Sequence, residues 1–326
     1  MLMPTAQRLI HRLLLAALLC SSFASSQKAP APKDDYRASI ATFRQQKETD
    51  LRKPDGWLSV VGLEWLPEGV SNAYLRADGT LGTQSPSQPV PAGGTLLMTI
   101  ELKDQKVWLH NVFVDVLKLN SVTVPYDMKP PKPPSELHYA TDTQKVDVLT
   151  YKTYIIFVIR RGDKFGLRVK NNAAPARRDF KGMVWYDVDM KYRVEARYIA
   201  YKEPRTLQVP TQINIPAPMP SPGHVEFTLD GKSYSLDAVI EDPEPKELFF
   251  IFKDQTATHG TYGAGRFLYT PVPSRGIHQD GTVTLDFNRA ENPPCAVTPY
   301  ATCPIPPKQN QLPVAIPAGE QYHGSH

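Results

Sequence analysis

One helical pattern stands near the start of the chain. Ile40, Phe43 and Lys47 recur at helical spacing, and charged residues fill the other faces of the same segment. Pro54 follows where such a helix has to end, because proline interrupts the helical hydrogen bonds. The pattern therefore predicts one helix over residues 35–52.

The rest of the chain is patterned as short strands. Apolar and polar residues alternate in runs that glycine and proline separate, which is typical of strands joined by turns. Leu248 to Lys253 is an almost continuous apolar run and predicts a central strand, whereas the prolines at 216–222 are expected outside any sheet interior. Two turn dipeptides predict hairpins: Gly162-Asp163 between 154–159 and 165–169, and Asp230-Gly231 between 225–229 and 234–239.

These signals favour an all-β fold, since no alternation of strands and helices indicates a parallel sheet. We expect two β-sandwich-like or barrel-like units and a single N-terminal helix. The predicted division of the chain is 1–26 signal peptide, 27–34 disordered lead-in, 35–128 N-terminal helix and β-sandwich-like unit, 129–134 proline-rich linker, 135–322 C-terminal β-rich unit and 323–326 tail. A long surface loop is the alternative for residues 129–134, because KPPKPP is stiff and extended in either setting.

The first 26 residues have the pattern of a secretory signal peptide. Basic residues up to Arg12 precede an eight-residue apolar run at 13–20, far below the ~20 residues that span a bilayer. Small residues follow, so cleavage is expected after Ala24 or Ser26. An uncleaved anchor and a lipoprotein attached at Cys20 are the alternatives. The prediction is a secreted or periplasmic protein with no membrane span after cleavage.

Charge and composition exclude several classes of protein. The 326 residues carry 37 basic and 33 acidic side chains, and removing residues 1–26 lowers the net charge from +4 to +2. That charge is too small and too scattered for a nucleic-acid-binding surface. Thirty-two prolines argue against a long helical bundle.

Two cysteines remain after cleavage, Cys295 and Cys303. An exported chain meets oxidising conditions, and the intervening turn-forming residues let the segment double back, so a disulfide is predicted. Two free buried thiols are the alternative. A metal site is not predicted, because that segment has no further thiol or imidazole.

Candidate chemistry is concentrated near the C-terminus. Strand alternation would place Asp286 and Asn288 together on one face of a strand end, beside the loop that contains the two cysteines. A second group of guanidinium side chains, Arg168 followed by Arg177 and Arg178, could clamp an anion. The candidate ligand-binding residues are Arg177, Arg178, Arg266, Asp286, Asn288, Arg289, Asn292, Tyr300 and Asn310. The alternative is that these residues are turn caps and a structural network.

Established catalytic motifs are absent, including G-x-S-x-G, H-E-x-x-H and the P-loop. The favoured hypothesis is an exported protein that binds a small polar or anionic ligand, without a cofactor. A hydrolase with Asp286, His110 or His259 as general base is the second hypothesis, and a cell-envelope structural protein is the third. The sequence assigns no catalytic residue and no oligomeric state.

Three segments resemble a known family: PDGWLSVVGLEWL at 54–66, FGLRVKNNAAPARRDFKGMVWY at 165–186, and the block from YGAGRFLYTP at 262 through LDFNRAENPPCAVTPYATCPIPPKQNQLPVAI. They are similar to the bacterial domain-of-unknown-function family 1684, over roughly residues 35–322. The resemblance implies no activity. The N-terminal half also resembles a forkhead-associated β-sandwich, through its short strands and Asn120, but it lacks the Arg and Ser pattern that binds phosphopeptides.

Overall fold

The computed structural model describes residues 33–124, 134–140 and 145–324. The predicted signal peptide, most of the lead-in and residues 129–133 of the predicted linker lie outside this part of the chain. No helix among the described residues is long and apolar enough to cross a membrane.

The predicted N-terminal helix is confirmed as α1, Lys33–Leu51. Asp34 and Asp35 lie in its first turn, where negative charge is favourable against the helix dipole. Tyr36 and Ile40, one helical turn apart, are buried with exposed fractions of 8% and 0%. This stripe packs the helix against the C-terminal part of the protein. A second helix, α2, is the single turn Pro175–Arg178.

Strands are the predominant regular structure of the described residues, which confirms the all-β prediction. In chain order they are β1 Val60–Trp65, β2 Gly69–Leu75, β3 Leu81–Gln84, β4 Thr95–Lys103, β5 Lys106–Val112, β6 Lys118–Leu119, β7 Val122–Thr123, β8 Ser135–Leu137, β9 Val148–Tyr151, β10 Tyr154–Arg161, β11 Lys164–Asn171, β12 Arg193–Val209, β13 Ala217–Leu229, β14 Lys232–Ala238, β15 Glu247–Phe252, β16 Arg266–Pro271 and β17 Gly281–Asp286.

Two sheets share the first hydrophobic core. One has the order β1-β11-β10-β9-β6-β7 and the other β3-β2-β4-β5-β8. Leu97 and Ile100 of the second sheet are buried in the same cluster as Ile156 and Leu167 of the first. Strand β8 pairs with β5, and β11 pairs with β1, so this core joins residues on both sides of the predicted linker.

A second core lies in the C-terminal half. The four-stranded sheet β14-β13-β12-β17 packs on the two-stranded sheet β15-β16. Alternate side chains of β15 face different clusters: Phe250 and Phe252 enter this core, and Phe249 and Ile251 enter a smaller cluster with Cys295 and Cys303. Burial on both faces explains the continuous apolar run of β15. The buried residues of the first core therefore extend as far as Val169, and those of the second core begin at Tyr192.

The hairpin dipeptides have the predicted role. Strands β10 and β11 pair antiparallel across Gly162-Asp163, and β13 and β14 pair across Asp230-Gly231. The proline segment is the exception, because residues 217–222 belong to β13. There β13 pairs with β12 alone, and β14 begins its pairing at Gly223. The prolines therefore lie in a strand, but at its edge, where proline is tolerated.

Candidate functional site

One hollow of the described structure lies between α1 and the C-terminal block. This α1 cleft has a volume of about 1070 Å³. The charged residues that line it are Asp35, Lys47, Arg193, Glu241, Glu247, Asp286, Arg289 and Glu291. Two of the predicted site residues, Asp286 and Arg289, are among them.

Asp286 ends strand β17 and organises one wall of the α1 cleft. Its Oδ1 accepts a hydrogen bond from the Tyr36 hydroxyl at 2.7 Å and one from the backbone N–H of Asn288 at 3.3 Å. Residues 287–289 form a 3₁₀ turn that Asp286 caps. Strand alternation stops at that cap, so the prediction that Asp286, Asn288 and Ala290 continue on one strand face is wrong. The carboxylate instead fixes the turn and α1 at once.

Tyr36 and Arg289 complete this wall. Burial, together with the hydrogen bond to Asp286, raises the pKa of Tyr36, so its hydroxyl stays a proton donor. The Nε of Arg289 lies 3.3 Å from Asp286 Oδ2, and its guanidinium lies 5.1 Å from the centre of the Phe43 ring. With 35% of its side chain exposed, Arg289 faces the cleft as well as these partners.

A smaller pocket of about 250 Å³ adjoins the α1 cleft. The ion pair of Lys47 and Glu291, 2.5 Å apart, lines both hollows. Burial raises the pKa of Glu291, although Lys47 opposes the shift. Glu320 also lines the smaller pocket, and burial raises its pKa to about 8. The backbone N–H of Asn292, which donates to Glu320 at 2.7 Å, lowers the pKa but does not cancel the effect of burial. Glu320 therefore carries a proton at neutral pH.

Gly319 explains how the chain places Glu320 there. Its φ is +81°, in the left-handed region, and a Cβ on it would overlap the carbonyl oxygens of Ala290 and Phe287. Glycine thus lets the C-terminal segment turn tightly onto residues 287–292. The backbone N–H of Glu320 then donates to Ala290 O at 2.8 Å.

Three predicted site residues lie in the interior instead. Arg266 is 1% exposed, pairs with Asp254 and donates to the carbonyls of Ile316 and Ala318. Asn288 is fully buried, and its side chain bonds to both the N–H and the C=O of Asp189.

Asn310 likewise bonds to the backbone of residue 237, and it donates to the carbonyl oxygen of Ile251. Its exposed fraction is 2%. For these three residues the structural-network alternative describes the contacts.

The remaining candidates are spread over the molecule. The Arg177 guanidinium donates to three backbone carbonyls, including Asn172 O at 3.0 Å, and Arg178 forms an exposed bidentate pair with Asp179. Asn292 lines the smaller pocket and bonds to backbone of residues 262 and 321. Tyr300 accepts a hydrogen bond from a buried arginine through its carbonyl oxygen.

Cys295 and Cys303 are buried free thiols in the structure, so the predicted disulfide is not formed in it. The Sγ of Cys303 accepts a hydrogen bond from the backbone N–H of Cys295 at 3.2 Å. The side-chain interaction with the Cys295 thiol and burial together raise the pKa of Cys303, whereas the backbone N–H of Cys295 acts to lower it. Cys303 is therefore an uncharged thiol at neutral pH.

The two candidate histidine bases lie away from both hollows. His110 bonds to Glu101 at 2.8 Å, and His259 contacts Ala257 O and Thr258 on the surface. Neither residue lines the α1 cleft or the smaller pocket. Within the described residues, no group of three or more His, Cys, Asp or Glu side chains could hold a metal ion.

Sequence reasoning missed Tyr36, Glu241, Glu247, Glu291 and Glu320. Tyr36 carried a usable signal, since it precedes Ile40 by one helical turn and so falls on the buried stripe of α1. The glutamates carried none, because exposed glutamate is common and their convergence depends on tertiary packing.

Comparison with known proteins gives a family and one solved structure. Residues 178–321 match the family model described as "Protein of unknown function (DUF1684)". An uncharacterized protein of Haloarcula marismortui, solved by solution NMR, is 33% identical to this chain; the match covers 45% of this chain and 79% of that one, with a TM-score of 0.39. No curated protein matches the chain. The matched range is the C-terminal block of the chain, which contains Asp286, Arg289, Glu291 and Glu320 and is similar to the DUF1684 family of proteins of unknown function.

Proposed function

We propose that this protein binds a small polar molecule in the α1 cleft. The observation that carries the proposal is the convergence of charged side chains from α1, β15, β17 and the turn after β17 around an open hollow of about 1070 Å³. A cleft with fixed polar groups loses little entropy when it captures a ligand.

The charges of the α1 cleft favour a ligand that carries an ammonium or several hydroxyl groups. Five carboxylates and three cations line the cleft. Lys47 and Arg289 are already paired with acids, whereas Glu241 and Glu247 have no cationic partner within 4.0 Å among the described residues. The excess of acidic side chains would repel an anionic ligand. Of the two ligand classes that the sequence suggested, polar and anionic, the cleft therefore disfavours the anionic one.

Calorimetric titration at constant ionic strength tests the proposal. The probes are putrescine, glucosamine, glucose and succinate, which share small size and differ in charge. We expect affinity for the cationic probes to exceed that for glucose, with no binding of succinate in the cleft. Glu247→Gln should weaken the cationic probes about tenfold, because it removes one charge contact.

The matched control is Glu244→Gln, an exposed acid of the same 241–247 segment that does not line the cleft. Its affinities should equal those of the wild type. Absence of binding by putrescine, glucosamine and glucose, or equal affinities in Glu247→Gln and wild type, would remove the proposal.

A second function, acid–base hydrolysis, is favoured by the smaller pocket. Glu320 holds a proton at neutral pH, and Glu291 lines the same pocket beside Lys47. One protonated carboxyl group and one ion-paired carboxylate are the partners that general acid and general base steps use. Glu320 and Glu291 take the place of Asp286, which the sequence-based hypothesis named as general base. The carboxylate oxygens of Asp286 are already bonded to Tyr36, Asn288 and Arg289.

Rates with p-nitrophenyl acetate and p-nitrophenyl glycosides test this second function. Glu320→Gln should lower any hydrolysis at least about 100-fold, the usual contribution of a general acid, and Glu244→Gln should leave it unchanged. Hydrolysis that survives in Glu320→Gln would exclude the role of Glu320.

Export is part of the proposal, on the pattern of residues 1–26. The N-terminal sequence of the protein recovered from cell fractions tests it. We expect the chain to begin at Ser25 or Gln27 outside the cytoplasm, and a chain that keeps Met1 would contradict cleavage.

A further inference from the structure

A third hollow, separate from the α1 cleft, has three arginines among its lining residues. It lies beside β10 and β11, has a volume of about 450 Å³, and is lined by Arg160, Arg161, Arg168 and Tyr139 among others. We call it the arginine pocket. None of its lining residues lines the α1 cleft.

Arg168 is the most buried of the three. It is 5% exposed, its Nη2 donates to Tyr300 O at 3.3 Å, and its guanidinium lies 5.3 Å from the centre of the Trp57 ring. Its Nε is buried and has no hydrogen-bond partner among the described residues. A buried donor without a partner is costly, and it is available to an added acceptor.

Arg160 and Arg161 contact neutral acceptors. Arg161 donates to Thr302 Oγ1 at 2.9 Å and to the carbonyl of residue 160 at 2.7 Å. Arg160 donates to the Tyr139 hydroxyl and to Gln105 Oε1, both at 2.9 Å. No carboxylate oxygen of the described residues lies within 4.0 Å of any of the three guanidinium groups.

These positive charges are therefore not neutralised by the residues around them. Burial lowers the pKa of Arg161, and burial together with the charge of Arg161 lowers that of Arg168 to about 10, so both stay protonated at neutral pH. Cys303 is near both residues, but its raised pKa keeps it an uncharged thiol. Buried charges in proteins are normally paired, and the described residues provide no carboxylate partner for these arginines.

We propose that the arginine pocket binds an oxyanion, the phosphate or carboxylate group of a small molecule. Guanidinium groups are suited to this, because their planar donor pairs match the oxygens of both groups. The bound oxyanion would supply the missing counter-charge and an acceptor for Arg168 Nε–H. This proposal is independent of the α1 cleft.

Calorimetric titration with inorganic phosphate and, separately, with succinate tests the proposal on the full protein at constant ionic strength. We expect binding of at least one probe. Binding of phosphate alone indicates a phosphate ligand, and binding of succinate alone indicates a carboxylate ligand. Arg168→Gln and Arg161→Gln should each weaken that binding about tenfold or more.

The matched control is Arg178→Gln, which removes an exposed guanidinium already paired with Asp179. It should bind as the wild type does. Two arginine variants are used so that misfolding of one still leaves a test.

Three results would overturn the proposal. One is the absence of binding by both probes, and another is wild-type affinity in both arginine variants. The third concerns Asp142, which lies outside the described residues: binding by Asp142→Asn but not by the wild type would mean that the pocket is already neutralised by the chain itself.

Discussion

Two buried arginines of this protein have opposite surroundings. Arg266, 1% exposed, pairs with the carboxylate of Asp254, which is 4% exposed, and with two backbone carbonyls. Arg168, 5% exposed, has a carbonyl and the Trp57 ring as its contacts and no carboxylate partner among the described residues, and the Nε of each arginine is buried without a hydrogen-bond partner there. The first side chain closes a network within the core, and the second lines a hollow.

The difference shows that burial of a charged residue does not by itself reveal its role. What separates the two arginines is whether the surrounding residues supply a counter-charge. A neutralised pair holds elements together, whereas a charge left without one suits an added ligand. The following tests sharpen or break this contrast.

The largest effect is expected for Arg266→Met. It leaves the Asp254 carboxylate buried without its cation, and such a change costs about 3–5 kcal/mol. Denaturant unfolding of the variant and the wild type gives the free energy of unfolding. A loss below about 1 kcal/mol would show that the pair contributes little to the core.

Adding Asp254→Asn to Arg266→Met should restore about 1–3 kcal/mol. The amide removes the uncompensated charge and keeps an oxygen for the N–H and hydroxyl of Thr256. The same unfolding measurement checks this. A double variant less stable than Arg266→Met would show that the loss comes from packing and not from charge.

Glu320 is the acidic counterpart of Arg168. Both side chains are buried, and in both the contacts with neighbouring residues do not fully offset the cost of burying the charged form. Its pKa is raised from the ordinary 4.5 to about 8, so the folded state binds its proton more tightly than the unfolded state. The resulting stabilisation is complete below pH 4.5 and is lost as the pH rises through 8. Its slope is at most about 1.4 kcal/mol per pH unit.

Glu320→Gln should therefore flatten the decline in stability between pH 5 and 8. Unfolding free energies at pH 5, 6, 7 and 8 measure the two slopes. Identical slopes in variant and wild type would mean that Glu320 is ionised in the folded protein. Glu244→Gln, an exposed acid, is the control and should keep the wild-type slope.

The smallest effect is expected for Arg168→Met. Removal of a buried charge that no residue neutralises should change the free energy of unfolding by less than about 1 kcal/mol, because relief of the charge offsets the lost contacts with Tyr300 and Trp57. Denaturant unfolding without added oxyanion checks this. A loss of 3 kcal/mol or more would mean that Arg168 is held as Arg266 is.

Local signals in the sequence were sufficient to predict the N-terminal helix and two of the hairpins. The spacing of Ile40, Phe43 and Lys47 indicates α1, and Gly162-Asp163 and Asp230-Gly231 indicate hairpins, because each depends on neighbouring residues alone. The edge position of the prolines in β13 could not be predicted from neighbouring residues alone. It depends on where β14 begins to pair, which no local pattern specifies.

The site was predicted only in part for the same reason. Asp286 and Arg289 were found because they stand out at a strand end, yet Arg266 stood out equally and lies in the core. Their sorting depends on Asp254 and Tyr36, which the sequence places far away. Arg168 did carry a local signal, as a charge between Leu167 and Val169 in a buried strand.

The hydrogen bond from Tyr36 to Asp286 joins residues separated by 250 positions. This wall of the α1 cleft thus combines the first described element with residues from the C-terminal part of the chain. Contacts of such high sequence separation form slowly, because the chain loses much of its freedom before they stabilise it. During synthesis the cleft stays incomplete until the turn after β17 has left the ribosome, so the residues of the first core emerge long before those that complete the cleft.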